Sequence, residues 1–193
     1  MKTLHYAKIL LAALLCLLIG SQTMAQRGTG NTREELNKVY FWFNVKLVKA
    51  ISRESRMDIY NLRLVSPQVL HGNLKEYQRA LWAGTAQGTK IAVGPFETFK
   101  EASNAVSLYK MVNDTVTPRE QYDNLHWFLI KVDVMERSRS YQFERMAARV
   151  ASGSSAEFSD VLRESLAFKT LAIGPFSDEM EAEKSKMLYR IEE

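Results

Sequence analysis

Hydrophobic and polar residues follow the same order twice along this chain. Residues 90–111 (KIAVGPFETFKEASNAVSLYKM) align without a gap to residues 170–191 (TLAIGPFSDEMEAEKSKMLYRI). Eight pairs, 80 positions apart, are identical: Ala92/Ala172, Gly94/Gly174, Pro95/Pro175, Phe96/Phe176, Glu101/Glu181, Ala102/Ala182, Leu108/Leu188 and Tyr109/Tyr189. Each copy starts with a short apolar run that ends at Gly-Pro. This predicts a buried strand that stops there, because proline cannot sit inside a sheet. We infer an internal duplication.

A helix is predicted after each Gly-Pro-Phe corner. Thr98 and Asp178 each stand three residues before a glutamate, which is the spacing of a helix capping box. The first helix would bury one face, formed by Ala102, Ala105, Val106 and Tyr109. In the second helix, the apolar face would consist of Met180, Met187, Leu188 and Ile191. The corners themselves are expected to be structural, with buried rings at Phe96 and Phe176.

Two strands and another helix are predicted ahead of each corner. Residues 40–51 alternate between Phe43, Val45 and Leu47 on one side and Trp42, Asn44 and Lys46 on the other. This period of two is typical of a half-exposed strand. A second strand is expected at 58–65 and a helix from Leu74 to about Trp82, closed by Gly84 and Gly88. The order recurs as a strand in HWFLIKVDVMERS, a second strand at about 141–150 and a capped helix in SGSSAEFSDVLRESL.

The N-terminal 25 residues are predicted to be a signal peptide. Lys2 and Lys8 precede an apolar run at 9–19, and Thr23-Met24-Ala25 supplies small residues before Gln26. The run is too short to span a bilayer, so the mature protein would have no membrane span. Cys16 lies inside this run, which disfavours a lipoprotein. We expect export to the periplasm or cell envelope.

The rest of the chain divides into four segments. We predict a flexible lead-in at 26–38, repeat 1 at 39–113, a linker at 114–124 and repeat 2 at 125–193. The linker is polar and contains Pro118. From the first corner strand to the second, the predicted order is β-α-β-β-α-β, the split-βαβ order of ferredoxin-like folds. Whether the two repeats are independent or interlocked remains open at the level of sequence.

The corner and the helix after it resemble the SPOR (sporulation-related repeat) family. The resemblance rests on Gly-Pro-Phe, a short polar step, Glu-Ala and an amphipathic helix, and it covers both repeats. It implies an α+β, ferredoxin-like fold, here duplicated, with antiparallel sheets and helices packed on one face. It also implies binding to peptidoglycan glycan strands across the open sheet face. SPOR sheets often carry Gln or Arg two residues before the strand-ending glycine, where this chain has Ala92 and Ala172. These alanines weaken the case for glycan recognition on those strands.

The composition of the chain excludes several kinds of functional site. Without residues 1–25 the chain has 168 residues, a formal net charge of +2 and no cysteine. This excludes a disulfide framework and a thiolate metal site, and the even charge balance argues against a nucleic-acid partner. We expect no cofactor, no metal and no enzymatic activity. The segment 152–155 (SGSS) is interpreted as a loop and helix cap. Asp133, Glu136 and Glu144 are interpreted as solvated strand residues rather than as a glycosidase pair, which needs a defined separation across a cleft.

The candidate binding surface is the polar side of the two long strands. Trp42, Asn44 and Lys46 would face outward in repeat 1, as would Trp127 and Lys131 in repeat 2. Flat aromatic rings stack on sugars, and lysines attract carboxylates. The alternative is that both tryptophans are buried between the repeats or under a helix, as tryptophan usually is. We expect Trp42 to be exposed beside Lys46 and Trp127 to be covered, because the apolar Leu129 stands where Asn44 stands in repeat 1.

Two functions therefore follow from the sequence. The first is an exported, non-catalytic protein that binds peptidoglycan glycan strands. The alternative is an adaptor or scaffold subunit of an envelope assembly for secretion or division, which binds another protein and no glycan.

Overall fold

The computed structural model describes residues 37–51, 58–66, 68–112, 122–135, 140–145 and 149–189. The predicted signal peptide, most of the lead-in and most of the linker lie outside these residues. The fold is α+β, with two antiparallel sheets and, in the described residues, four helices. The strands are β1 Tyr40–Ile51, β2 Asp58–Leu64, β3 Leu70–Gly72, β4 Ile91–Phe96, β5 Leu125–Met135, β6 Ser140–Arg145, β7 Ala151–Gly153 and β8 Thr170–Phe176. The helices are α1 Leu74–Ala86, α2 Phe99–Met111, α3 Ser155–Ala167 and α4 Glu179–Leu188.

Each sheet is built around the long strand of one repeat. In repeat 1, β1 pairs with β2 through residues 45–51, with β3 through 40–42 and with β4 through 41–45, always antiparallel. In repeat 2, β5 pairs with β6, β7 and β8 in the same way. The predicted long strands and the two corner strands are confirmed. Within the described residues the two repeats exchange no strands.

Each corner strand contains a glycine that its surroundings require. The expectation that the strand stops at Gly-Pro is wrong: β4 continues to Phe96 and β8 to Phe176, because a register shift leaves the glycine and the proline out of the pairing with β1 and β5. Gly94 has φ 142° and Gly174 has φ 138°, a backbone region that side chains rarely allow. A Cβ on Gly94 would lie 3.0 Å from the Phe41 carbonyl oxygen, and one on Gly174 would lie 2.9 Å from that of His126. The peptide bonds to Pro95 and Pro175 are cis. The corner therefore has the same backbone in both repeats.

The helix starts were predicted better than the helix ends. Asn73, Thr98 and Ser154 form complete capping boxes with the glutamate three residues later. The expected end of α1 near Trp82 is wrong, because the helix continues to Ala86 with Gly84 buried inside it. A Cβ on Gly84 would come within 2.7 Å of the Lys90 carbonyl oxygen. This glycine allows the helix to approach the start of β4 and does not end the helix.

Two short strands were not expected. The sequence predicts a break at 71–73 and a loop with a helix cap at 152–155, but residues 70–72 and 151–153 pair with the first residues of β1 and β5. A second strand of repeat 2 that reaches 150 is wrong as well, since β6 spans Ser140–Arg145 and residues 149–150 are not in a strand. Runs of three residues are too short to give a hydrophobic period, so the pattern could not show them.

The two repeats share one hydrophobic core. Phe96 and Phe176 are fully buried, and their ring centroids lie 5.0 Å apart. Behind them, Phe43 stacks on Phe96 and Phe128 stacks on Phe176. Residues 37–193 form a single compact unit. The corners thus carry the aromatic contact that joins the repeats.

The expected apolar face of α4 is wrong except at Leu188, which is half-buried against the core. Met180 is 64% exposed and Met187 is 38% exposed, and Ile191 lies outside the described residues. The residues that α4 and its C-terminal cap bury are instead Glu181, Ala182, Ser185 and Tyr189. Glu181 does not complete a capping box, since its carboxylate accepts a hydrogen bond from the Glu97 backbone N–H of repeat 1. The face is polar because it binds backbone groups of the other repeat.

Candidate functional site

The two tryptophans of the expected binding surface are buried. Trp42 is 5% exposed and Trp127 is 4% exposed. Trp42 packs edge-to-face on Tyr77 of α1, and Trp127 packs in the same way on Phe158 of α3. The expectation of an exposed Trp42 is therefore wrong: residues of a helix cover this side of β1, while Phe43 is buried on the other side. The alternation in the sequence marks the two faces of the strand but not what covers them.

The polar residues of the same surface are separated from one another. Asn44 is only 4% exposed, whereas Lys46, two residues further on, is exposed. Lys131 is partly exposed and lies 3.9 Å from Asp133 on its own strand. The structure therefore does not gather Trp42, Asn44 and Lys46, or Trp127 and Lys131, into one accessible site.

Ala92 and Ala172 lie in the contact between the repeats. Both are fully buried. The Tyr189 hydroxyl donates a hydrogen bond of 2.7 Å to the Ala92 carbonyl, and the Tyr109 hydroxyl donates one of 2.5 Å to the Ala172 carbonyl. Burial raises the pKa of Tyr109 and of Tyr189, so both hydroxyls remain protonated donors. Each repeat thus supplies a tyrosine to the corner strand of the other.

The corner strand of repeat 1 accepts hydrogen bonds from more side-chain hydroxyls than the corner strand of repeat 2. The Gly94 carbonyl accepts hydrogen bonds from Tyr77 at 2.8 Å and from Ser185 at 2.5 Å. The Tyr77 and Tyr189 hydroxyls also lie 2.8 Å apart. Phe158, the counterpart of Tyr77, has no hydroxyl to offer in repeat 2. The buried carbonyls of β4 are thus bonded to side chains in place of a further strand.

A cleft of about 460 Å³ opens where the two corners meet. We call it the junction cleft; it is lined by Glu97, Thr98, Glu101, Ser177, Asp178, Met180, Glu181 and Lys184. Its hydrogen bonds are reciprocal. Glu181 accepts from the Glu97 N–H at 2.7 Å, and Glu101 accepts from the Ser177 N–H at 3.3 Å and from the Ser177 hydroxyl. Glu101 and Glu181 are identical in the two repeats, a signal that the sequence interpretation used only for capping.

Charge in the junction cleft is concentrated on carboxylates. Glu181 is only 8% exposed. Burial, followed by the nearby Glu101 carboxylate, raises the pKa of Glu181 to about 8. Lys38 partly offsets this charge, since its Nζ lies 2.5 Å from a Glu97 carboxylate oxygen.

Three rings, two of them exposed and one (Phe41) half-buried, lie close together at the corner of repeat 1. Phe41, His71 and Phe99 form what we call the aromatic cluster: the Phe41 ring centroid is 6.0 Å from that of Phe99 and 6.4 Å from that of His71. Phe99 is 59% exposed, and His71 is exposed as well. Repeat 2 has His126, Ser152 and Glu179 in the matched places. The sequence interpretation missed this cluster, although Phe99 opposite Glu179 in the aligned repeats was a signal for it.

Other polar residues considered for chemistry have structural surroundings. The Ser154 hydroxyl caps α3, and Asp133 faces Lys131. Glu136 and the side chain of Glu144 lie outside what the structure describes. In the described ranges, no group of three or more His, Cys, Asp or Glu residues could hold a metal ion. None of the helices in the described part of the chain is long and apolar enough to cross a membrane.

Comparison with family models, with curated proteins and with solved structures gives no match to this chain. Its function is therefore argued from its own residues and geometry.

Proposed function

We propose that this chain is an exported, non-catalytic protein of the cell envelope that acts by binding another protein. In this proposal it is an adaptor or scaffold subunit of a secretion or division assembly. The observation that carries the proposal is the burial of the sheet side on which glycan binding was expected. Trp42, Trp127, Ala92 and Ala172 are each at most 5% exposed, so a glycan strand has no access to them.

The aromatic cluster supports a protein partner. Aromatic residues are enriched at the centres of protein interfaces, where their large apolar surface is removed from water. Phe99 is mostly exposed although it stands in the first turn of α2, beside Phe41. Repeat 2 replaces it with a glutamate, so the fold does not need a ring at this position. We therefore place the partner surface on repeat 1.

Binding of peptidoglycan glycan strands is the second candidate. The observation that favours it is the same pair of rings, because Phe99 is an exposed aromatic of the kind that stacks on sugars and Phe41, half-buried against the core, packs against it. Glycan would then bind at the corner of repeat 1 and not along the sheet. The two candidates share a surface and differ in their ligand.

The fold proposed with this function is a pair of diverged SPOR-like, ferredoxin-like units. Its support is the same corner in both repeats: a strand that contains a positive-φ glycine and a cis proline, ends at a buried phenylalanine and is followed three residues later by a helix. The proposed export rests on the charged and apolar pattern of residues 1–25.

Two measurements test the proposed function. Purified protein is centrifuged with cell-wall sacculi, and we expect it to stay in the supernatant. In native cells, a photo-crosslinking residue at position 99 is expected to give a discrete adduct with an envelope protein. The matched control is position 168, because Phe168 is also an exposed phenylalanine, at 76%, but lies in repeat 2.

The outcomes separate the candidates. Sedimentation with sacculi that is lost in Phe99→Ala and kept in Phe168→Ala would contradict the adaptor and establish the glycan candidate. A protein adduct at position 99 and none at 168 supports the adaptor. If the protein neither sediments with sacculi nor gives an adduct at position 99, both candidate functions are rejected.

A further inference from the structure

The junction cleft brings two glutamates of different repeats together, and one of them, Glu181, has little access to water. Glu181 on α4 is only 8% exposed and accepts a hydrogen bond from repeat 1, while Glu101 on α2 accepts hydrogen bonds from repeat 2. A carboxyl group that is buried beside another carboxylate favours its neutral form, because burial and like charge both disfavour ionisation. The position of Glu181 therefore favours a proton at the contact between the repeats.

The surrounding charges do not remove the need for this proton. Glu97 lies on the same cleft and adds a third carboxylate, and Asp178 caps the helix that carries Glu181. Lys38 is engaged with Glu97. Lys184 also lines the cleft from α4 and has an interaction of its own. The surroundings of Glu181 therefore contain four carboxyl groups, one of which is that of Glu181 itself, and two lysines.

We propose that the junction between the repeats is a proton-dependent contact, in which a proton held by Glu181 beside Glu101 stabilises the folded chain. The protein would then be more stable at mildly acidic pH than at mildly basic pH, independently of what it binds.

The direction follows from linkage. Glu181 has its pKa raised from the ordinary value of 4.5 to about 8, so the folded chain holds a proton that the unfolded chain releases at a lower pH. The stabilisation is complete below pH 4.5 and is lost as the pH rises toward 8. In this window, each pH unit lowers the folded-to-unfolded ratio by up to about tenfold. Above pH 8, Glu181 contributes no further change.

The first test is a titration of the purified full chain with glutamate carboxyl carbons labelled for NMR. We expect one carboxyl signal with a midpoint near pH 8, which is absent from Glu181→Gln. In Glu101→Gln, removal of the like charge should move that midpoint to lower pH. A Glu181 signal with an ordinary midpoint below pH 5 would overturn the proposal. A midpoint unchanged by Glu101→Gln would contradict the proposed part of Glu101, whose negative charge is expected to help keep Glu181 protonated.

The second test is urea unfolding between pH 5 and pH 8. The wild-type midpoint should fall across this range, and Glu181→Gln should remove most of the fall, because glutamine keeps the acceptor for Glu97 N–H without a charge. Glu179→Gln is the matched control: it is exposed in the same helical turn and should keep the wild-type fall. An equal fall in Glu181→Gln and Glu179→Gln would contradict the proposal.

Discussion

The two repeats have the same framework but different surfaces. Where they touch each other, they keep the same groups: the glycine and phenylalanine of each corner, Tyr109 and Tyr189, and Glu101 and Glu181. Each tyrosine and each of these glutamates binds a backbone group of the opposite repeat. Away from this contact they differ, since the aromatic cluster of repeat 1 is replaced by histidine, serine and glutamate in repeat 2.

This difference indicates which residues serve the fold and which serve binding. A residue of one repeat that binds the other repeat must fit the structure of both repeats. We therefore interpret the duplicated contacts as structural. A feature that only one repeat has, such as exposed Phe99, is not required by the shared architecture. This is why we place the function on repeat 1 and the stability at the junction.

The largest expected effect is at the two corner rings. Phe96→Ala and Phe176→Ala should each cost about 3–5 kcal/mol in free energy of unfolding, because both rings are fully buried and leave a cavity. The two losses should be similar, since the rings occupy matched places. Urea unfolding measures this. A loss below about 1 kcal/mol in either variant, the range of surface substitutions, would contradict the shared core.

A smaller effect should distinguish the two tyrosines. Tyr109→Phe removes the hydroxyl on the Ala172 carbonyl, and among the described residues no second hydroxyl replaces it. After Tyr189→Phe, the Tyr77 hydroxyl can turn to the Ala92 carbonyl, 3.3 Å away, because the Gly94 carbonyl to which it donates keeps the Ser185 hydroxyl. We expect about 1–3 kcal/mol for Tyr109→Phe, the cost of a buried unsatisfied group, and about 1 kcal/mol for Tyr189→Phe.

The comparison between the two tyrosines is completed by the double variant Tyr77→Phe/Tyr189→Phe and by the single variant Tyr77→Phe. The double variant leaves the Ala92 carbonyl in the same state as the Ala172 carbonyl after Tyr109→Phe. Its cost should therefore exceed the sum of the two single losses. Additive losses would show that the two hydroxyls do not replace each other.

The smallest expected effect is a gain in the stability of the folded chain, from a substitution at Asn44. Asn44 is buried, and among the described residues its side-chain oxygen has no hydrogen-bond partner. The matched residue in repeat 2 is Leu129. Asn44→Leu should therefore stabilise the chain by about 1 kcal/mol, because it removes an unsatisfied buried acceptor. Leu129→Asn should destabilise it, and thermal unfolding of both variants checks the pair. A destabilising Asn44→Leu would show that Asn44 has a polar role in repeat 1.

Much of the fold could be predicted because its signals are local. The corner strand Ile91–Phe96 and the capping box at Thr98 depend on residues close together in the chain, and both are confirmed, although the strand does not end at Pro95 as expected. The exposure of Trp42 could not be predicted, because the helix that covers it lies some 35 positions further along the chain. The prediction of the buried face of α4 failed for a related reason. Glu181 and Ser185 are buried where they form hydrogen bonds to the other repeat, and hydrophobic periodicity does not detect such residues.

The central claim is that the repeats are one cooperative unit joined at the corners. The most direct test is native-state hydrogen exchange of β4 and β8 in the wild type and in Phe176→Ala. We expect the slowest amides of Ile91–Phe96 in repeat 1 and of Thr170–Phe176 in repeat 2 to open with the same free energy. The substitution in repeat 2 should lower both by the same amount. Loss of protection in β8 with β4 unchanged would contradict the account and show two independently folded repeats.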